Sequence, residues 1–191
     1  MLIPILIGVA AVVALLLVIV AMQPAAFRIA RTAKMNVPPS AIFPHINDMR
    51  AWLPWSPWEK LDPTMNRTYE GAGSGEGAVY SWVGDKNVGE GRCTITESRP
   101  HELVRMQLAF IRPFKATNGA EFTLTPEGEQ TAVMWSMTGE RTFMFKAMNL
   151  IMNMDKMCGG AFEQGLKDLK EVVEGERTAT RAEGRHVGAS V

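Results

Sequence analysis

Histidine and cysteine are the residue types in this 191-residue sequence best suited to bind a metal or to attack a substrate. We place His45 on a short helix, His101 beside a turn and His186 near the C-terminus, so no two histidines have the spacing of a metal site or of a base beside its nucleophile. Cys93 and Cys158 are too few and too far apart for a metal cluster. We expect both to be buried free thiols rather than a disulfide, and we expect no metal and no cofactor.

Two acidic residues are the remaining candidates for proton transfer. Asp155 falls within the apolar stripe of a predicted long helix, where a buried carboxylate must be paired or protonated. We favour a structural ion pair with Arg31 or Arg141, or a position at the edge of that stripe, over a proton-transfer role for Asp155. Glu121 precedes Phe122 on a predicted strand, so the period-two rule points Glu121 away from the face of Phe122 and argues against a general base there.

Charge and composition narrow the classes of partner. Lys and Arg together number 20, as do Asp and Glu, so the sequence lacks the basic excess of a nucleic-acid-binding protein. Thirteen Met and five Trp accompany only two Tyr, and Met and Trp are typical of adaptable apolar surfaces. A Met-rich packed core and a cavity for an apolar ligand fit this composition equally well. The length fits one anchor, one domain and a tail.

The N-terminal segment from Leu2 to Met22 carries no charge. About twenty apolar residues are enough to cross the hydrocarbon core of a bilayer, so we predict a transmembrane helix over residues 1–24. A cleaved signal peptide is the alternative, although no Lys or Arg precedes the apolar run and the run is longer than usual for such a peptide. Arg28, Arg31 and Lys34 follow closely, which favours a cytoplasmic soluble domain.

The longest periodic segment of the chain runs from Phe143 to Glu174 without a proline. Its spacing predicts one long helix with a single apolar face, and that face needs a partner surface. The face comprises Met144, Met148, Ile151, Asp155, Cys158, Phe162, Leu166, Leu169 and Val173. Residues 175–191 are small, charged and aperiodic, which predicts a disordered tail after a domain over residues 25–174.

Alternation of apolar and polar residues predicts about seven strands before that helix. They are Phe27–Val37, Asn66–Glu70, Ala78–Val83, a strand with Cys93 and Ile95, Leu103–Phe110, a strand with Ala120, Phe122 and Leu124, and Thr131–Thr138. The short connections predict an antiparallel meander. We interpret the glycine run from Gly71 to Gly77 as a hairpin turn and not a phosphate-binding loop, because a strand follows it instead of a helix.

The stretch from Trp52 to Pro63 holds three Trp and three Pro. Proline restricts the backbone, so the indole rings are held in place by a stiff loop. Two interpretations stay open: the rings plug one end of the core, or they form the rim of a cavity mouth.

Four sequence motifs resemble a known superfamily. Val37–Phe43 (VPPSAIF) is similar to the opening of the polyketide cyclase/dehydrase and START-like (SRPBCC) superfamily. Trp52–Glu59 (WLPWSPWE), the pair Asp62 and Pro63, and Gly75–Trp82 (GEGAVYSW) are similar to elements of its membrane-anchored bacterial members. The resemblance covers Phe27 to Glu174. It implies an α+β helix-grip (START/Bet v 1-like) fold, with a curved antiparallel sheet packed on the C-terminal helix, and a single-pass protein of the bacterial inner membrane.

The resemblance also implies a deep apolar pocket between the long helix and the sheet. The pocket residues expected from it are Tyr80, Trp82, Met106, Phe122, Trp135, Met148 and Ile151, with Trp55 and Trp58 near the mouth. Three functions stay open: a binding module for a lipid-like or polycyclic molecule, which we favour, a cyclase or dehydratase, and a co-chaperone-like interaction module whose protein partner is unknown. A pocket filled by its own side chains would favour the third.

Overall fold

A computed structural model describes residues 2–151 and 154–187, with side chains for residues 3–148 and 155–179. The helices are α1 (Leu2–Met22), α2 (Pro39–Asn47), α3 (Pro57–Leu61), α4 (Phe143–Ile151) and α5 (Met154–Val187), with a 3-10 turn over Met49–Trp52. The strands are β1 (Ala26–Met35), β2 (Asn66–Gly71), β3 (Ala78–Val83), β4 (Glu90–Arg99), β5 (Leu103–Arg112), β6 (Ala116–Glu127) and β7 (Gln130–Glu140).

The seven strands form one antiparallel sheet in the order β1-β7-β6-β5-β4-β3-β2. Strands β2 to β7 are the predicted meander, and β1 pairs with β7, with Ala26 opposite Glu140 and Met35 opposite Thr131. Gly71 and Gly77 have φ values of 71° and 83° in the connection from β2 to β3, a backbone conformation that favours glycine. The glycine run is therefore a hairpin, as predicted. The pairing of β4 with β5 shifts register between Ile95 and Glu97, and such bulges bend a sheet.

Helix α5 closes one side of this sheet. Its apolar face, Phe162, Leu166, Leu169 and Val173, is buried. Helix α5 can approach closely because Gly165 carries no side chain: a Cβ there would lie 2.8 Å from the ring of Trp135 and 3.0 Å from Pro57. A curved antiparallel sheet gripping one long C-terminal helix confirms the predicted α+β helix-grip fold.

The predicted helix over Phe143–Glu174 is helical on both sides of residues 152–153, which lie outside the described residues: α4 ends at Ile151 and α5 begins at Met154. The two parts of the apolar stripe have different partners: α5 packs on β1 and β7, whereas α4 contacts α1. Met144 is accordingly 63% exposed. Continuous periodicity does not reveal such a change of partner.

The predicted disordered tail is also wrong over most of its length, since α5 continues to Val187. Two contacts hold this part of the helix to the domain: Glu176 lies 3.1 Å from His45, and the Arg177 guanidinium donates to the Asn36 carbonyl oxygen. Glu, Arg and Ala in this segment also favour helix without any apolar face. Residues 188–191 of the predicted tail lie outside the described residues.

Leu169→Ala tests the packing of α5 on the sheet. Leu169 is fully buried, so we expect the truncation to lower the free energy of unfolding by about 2–5 kcal/mol. Glu171→Ala, at an exposed position two residues further on, is the matched control and should change it by less than about 0.5 kcal/mol. Denaturant unfolding of both variants in detergent, followed by tryptophan fluorescence, gives the two values. Equal effects would contradict burial of this helix face.

Candidate functional site

A cavity of about 400 Å³ lies between the inner face of the sheet, helix α3 and the first turns of α5. Its volume is in the range of pockets that bury a small ligand. It opens at the end of the sheet where β3, β5 and β7 finish, beside α4. A more open depression of about 420 Å³ lies beside Lys115 on the β5–β6 hairpin and encloses no interior space.

Strand alternation turns one residue in two toward the cavity. On β5 these are Met106, Leu108 and Phe110, and on β6 they are Ala116, Asn118 and Ala120. The alanines leave space where larger residues would fill it. Gly91 on β4 makes room for the indole ring of Trp82, because a Cβ there would collide with that ring. The cavity is therefore a consequence of small residues at inward positions of the sheet.

Five of the nine predicted pocket residues line the cavity: Trp58, Tyr80, Trp82, Met106 and Trp135. Met148 is half-buried but is not part of the lining, and the side chain of Ile151 lies outside the described residues. The remaining two, Trp55 and Phe122, pack beneath the cavity in the core.

The tryptophans of the proline-rich loop divide between the two interpretations left open by the sequence. Trp55 is 1% exposed, donates its indole N–H to the His45 carbonyl oxygen at 3.1 Å and plugs the core. Trp58 is 39% exposed and lines the cavity, as does Trp52. Trp55 is therefore not at the mouth, because α2 provides an acceptor for it in the interior.

Stacked aromatic rings make one wall of the cavity rigid. The rings of Trp135 and Phe162 are parallel to within 9° with centroids 4.4 Å apart, and Trp58 meets Trp135 edge-on at 5.3 Å. Phe122 stacks on the other side of Trp135 at 4.6 Å. Such contacts stabilise beyond their buried area, so this wall is formed before any ligand enters.

A buried polar cluster, Glu59 with Tyr80 and Arg67, lies at the inner end of the cavity. Glu59 is 5% exposed; one carboxylate oxygen accepts from the Tyr80 hydroxyl at 2.5 Å and the other from Arg67 Nε at 2.6 Å. Burial, and then the hydrogen bond to Glu59, raise the pKa of Tyr80, while the hydrogen bond to Glu59 raises the pKa of Arg67. Glu59 and Tyr80 line the cavity. We did not single out Glu59 from the sequence, although it follows Trp58 directly.

The mouth of the cavity carries basic and aromatic side chains. Lys86, Arg112 and Arg141 lie in its lining, and the Arg141 guanidinium stands 5.3 Å from the ring centroid of Phe27. Phe114 and Phe145 meet edge-on at 5.8 Å. The two ends of the cavity therefore differ, with a paired carboxylate inside and three basic residues together with Glu140 outside.

Comparison with known proteins identifies the family. A family model described as "Polyketide cyclase / dehydrase and lipid transport" matches residues 26–174. The chain belongs to this family. No curated protein matches the sequence.

Several solved structures share the fold at low sequence identity. Protein CV1439 from Chromobacterium violaceum has a TM-score of 0.54 and 17% identity over 79% of this chain and 99% of its own. The Aha1 dimer from Colwellia psychrerythraea has a TM-score of 0.56 and 16% identity, over 78% of this chain and 96% of its own. CalU16 from Micromonospora echinospora has a TM-score of 0.53 and 13% identity, over 84% of this chain and 91% of its own. These likenesses show the fold alone.

In this member of the polyketide cyclase/dehydrase family, Asp155 lies outside the cavity lining. Its side chain is 56% exposed and pairs with Arg31 at 3.1 Å, while Arg31 also binds Glu163 at 2.6 Å. Asp155 is therefore exposed, although it falls within the predicted apolar stripe, because its carboxylate reaches the Arg31 guanidinium. The ion pair with Arg31 is confirmed, and hydrogen bonding to Asp155 and then Glu163 raises the pKa of Arg31.

The other candidates for chemistry also lie away from the cavity. Glu121 accepts from Arg105 at 2.9 Å and, as predicted, does not line the cavity. His45 pairs with Glu176, His101 meets Phe43 edge-on, and the side chain of His186 lies outside the described residues. Within the described part of the chain, no three His, Cys, Asp or Glu residues are grouped to hold a metal.

Both cysteines are free, as predicted, but their surroundings differ. Cys93 is fully buried, and burial raises the pKa of its thiol to about 12. Cys158 is half-buried and lines the cavity, so the expectation that it is buried holds only in part. Burial, and then the nearby Asp155 carboxylate, raise the pKa of the Cys158 thiol.

Alkylation with N-ethylmaleimide tests this difference between the thiols. Because the thiolate is the reactive form, a raised pKa lowers the reactive fraction at a given pH. We expect Cys158 to react more slowly near pH 8 than an unfolded cysteine, and Cys93 to stay unmodified on the same timescale. Mass spectrometry of digested protein follows each site, and both thiols should react alike in denaturant. Modification of Cys93 as fast as Cys158 would contradict the burial described here.

Proposed function

We propose that this chain is a membrane-anchored binding module that holds a hydrophobic small molecule, lipid-like or polycyclic, in the cavity between sheet and helix. The observation that carries the proposal is a cavity of about 400 Å³ walled by aromatic and Met side chains. The matching family includes lipid transport in its description, which supports a hydrophobic ligand-binding role.

The N-terminal helix supports the membrane part of the proposal. Ile3–Met22 is long and apolar enough to cross a bilayer, and only 6% of it is buried against the rest of the chain. The end of this helix lies near the cavity mouth: α1 contacts α4, and the Arg141 amide donates to the Ala25 carbonyl oxygen at 2.7 Å. An apolar ligand leaving the bilayer would then reach the cavity without crossing water. We place the domain on the cytoplasmic side of a bacterial inner membrane.

Exposed apolar side chains around the mouth fit the same arrangement. Phe114 is 51% exposed on the β5–β6 connection, and Phe143 and Met144 are 52% and 63% exposed on α4. Large apolar side chains that share one end of a domain with an apolar helix are suited to the interfacial region of a membrane.

The two other functions have less support. A cyclase or dehydratase needs an acid or base within reach of the substrate, and Asp155 lies outside the cavity lining in an exposed ion pair. Glu59 does line the cavity, but its two carboxylate oxygens are engaged by Tyr80 and Arg67. An interaction module would be favoured by a cavity filled with its own side chains. Trp55 and Phe122 fill only the core beneath, and the space above them stays open.

Two tryptophan substitutions on one strand test whether the cavity is the binding site. Leu108 points into the cavity and Gln107 points to the exposed face of β5. We expect Leu108→Trp to fill the cavity and to lower the amount of co-purifying hydrophobic ligand at least about tenfold, a loss of about 1.4 kcal/mol. Gln107→Trp should leave it unchanged. Mass spectrometry of organic extracts from both purified variants measures the ligand. Equal retention, or no ligand in the unmodified chain, would count against the proposal.

Alkaline carbonate extraction tests the anchor. An uncleaved transmembrane helix should keep the full chain in the membrane pellet, because removing about twenty apolar residues from lipid is highly unfavourable. Intact-mass measurement of the same sample should find Met1 or Leu2 at the N-terminus. A soluble product that begins near Ala25 or Ala26 would instead identify the segment as a signal peptide and refute the anchor.

A further inference from the structure

Several polar groups that line the cavity already donate their protons to other protein atoms, which leaves acceptor atoms at its inner end. The Tyr80 hydroxyl proton is donated to Glu59 at 2.5 Å. The indole N–H groups of Trp52 and Trp82 are donated to the carbonyl oxygens of Ile46 and Val88, at 3.0 Å and 3.2 Å. The lone pairs of Tyr80 and of the Glu59 carboxylate can therefore accept a hydrogen bond from a ligand. Among the described residues at this end, the donors still without a partner are Arg67 Nη2, which is not part of the lining, and the Ser56 hydroxyl, which is.

Charge at this end is already balanced. Glu59 is held by Arg67 Nε at 2.6 Å, with side chains that are 5% and 19% exposed. A cationic ligand group would add an unpaired charge to a low-dielectric site, and an anionic group would meet the lone pairs of Tyr80 and Glu59. A neutral donor avoids both costs. The charged residues Lys86, Arg112, Glu140 and Arg141 of the lining lie at the mouth instead.

We propose that the inner end of the cavity recognises the hydroxyl group of a neutral, otherwise apolar alcohol, which donates its proton to Tyr80 Oη or to the Glu59 carboxylate. Ser56, which is 3% exposed and lines the cavity beside Glu59, supplies a hydroxyl that can donate to the same ligand oxygen. This inference rests on the proposed function, since it assigns the class of molecule that the cavity holds. The hydroxyl of the bound alcohol lies at the inner end of the cavity, and its apolar part lies between the aromatic wall and the sheet.

The test compares three ligands that differ only at one end: decanol, its methyl ether and decanoate. The full chain in lipid nanodiscs is treated with N-ethylmaleimide, and the ligand concentration that protects Cys158, a lining residue, is read by mass spectrometry. The ether cannot donate a hydrogen bond, and the carboxylate is charged. We expect decanol to protect at about tenfold lower concentration than either, the size of effect given by about one buried hydrogen bond.

Glu59→Gln reverses the polarity of the site. Arg67 Nε–H still needs an acceptor, so the amide oxygen faces Arg67 and the amide N–H₂ faces Tyr80. Tyr80 then accepts, and its own proton is released toward the cavity. We expect the preference for decanol over its ether to fall to about twofold or less. Glu121→Gln, at a carboxylate that also pairs with an arginine but lies outside the lining, should keep the preference of the unmodified chain.

The outcomes separate the inference from the proposed function. Equal protection by decanol and its ether in the unmodified chain overturns the alcohol site and leaves a hydrophobic cavity, in which Glu59 and Arg67 act only as a structural ion pair. Tighter protection by decanoate overturns it too. Failure of all three ligands to protect Cys158 removes the proposed function together with this inference. The ligand series in the unmodified chain decides the matter even if Glu59→Gln does not fold.

Discussion

The stack of Phe162 on Trp135 is the contact on which the rest of the domain depends. It joins the long helix to β7 at one place, with ring centroids 4.4 Å apart, and Gly165 allows the helix backbone to come close there. From this point α5 packs on β1 and β7, at one edge of a curved sheet. Helix α5 does not extend over the inner face of β3 to β6, which α2, the 3-10 turn and α3 cover only in part. The cavity is the space that this one-sided attachment leaves, because the curvature of the sheet prevents a straight helix from covering all of it.

Most of the fold follows from local pattern. The alternation of Met106, Leu108 and Phe110 identifies β5 and its inner face, and the glycine run between Asn66 and Val83 identifies a hairpin, because both depend on residues close in sequence. The different partners of α4 and α5 do not follow in this way. Met144 and Phe162 continue one stripe, but one contributes to a surface beside α1 and the other to the core. Only the tertiary structure separates them.

The same distinction between local pattern and long-range contacts applies to the residues of the cavity. Tyr80, Trp82 and Trp135 are expected in the cavity from the family resemblance, and the alternation along their strands agrees with it. The segment between β1 and β2 offers no such alternation. Trp55 and Trp58 stand three positions apart, before and on the short helix α3, and their positions are set by partners distant in sequence, His45 for Trp55 and Trp135 for Trp58. Glu59, also on α3, was missed because its role comes from Arg67 and Tyr80 on neighbouring strands.

The pairing of β1 with β7 has a consequence for how the domain is made. The first strand of the sheet lies directly after α1, and its ladder runs from Ala26 opposite Glu140 to Met35 opposite Thr131. Translation must therefore pass Glu140 before the first strand has its neighbour, and α5 is synthesised later still. Pairings between such distant parts of a chain form slowly. Between the synthesis of β1 and that of β7, the nascent chain exposes an unpaired strand beside its apolar N-terminal helix. Chaperone protection matters most during this period.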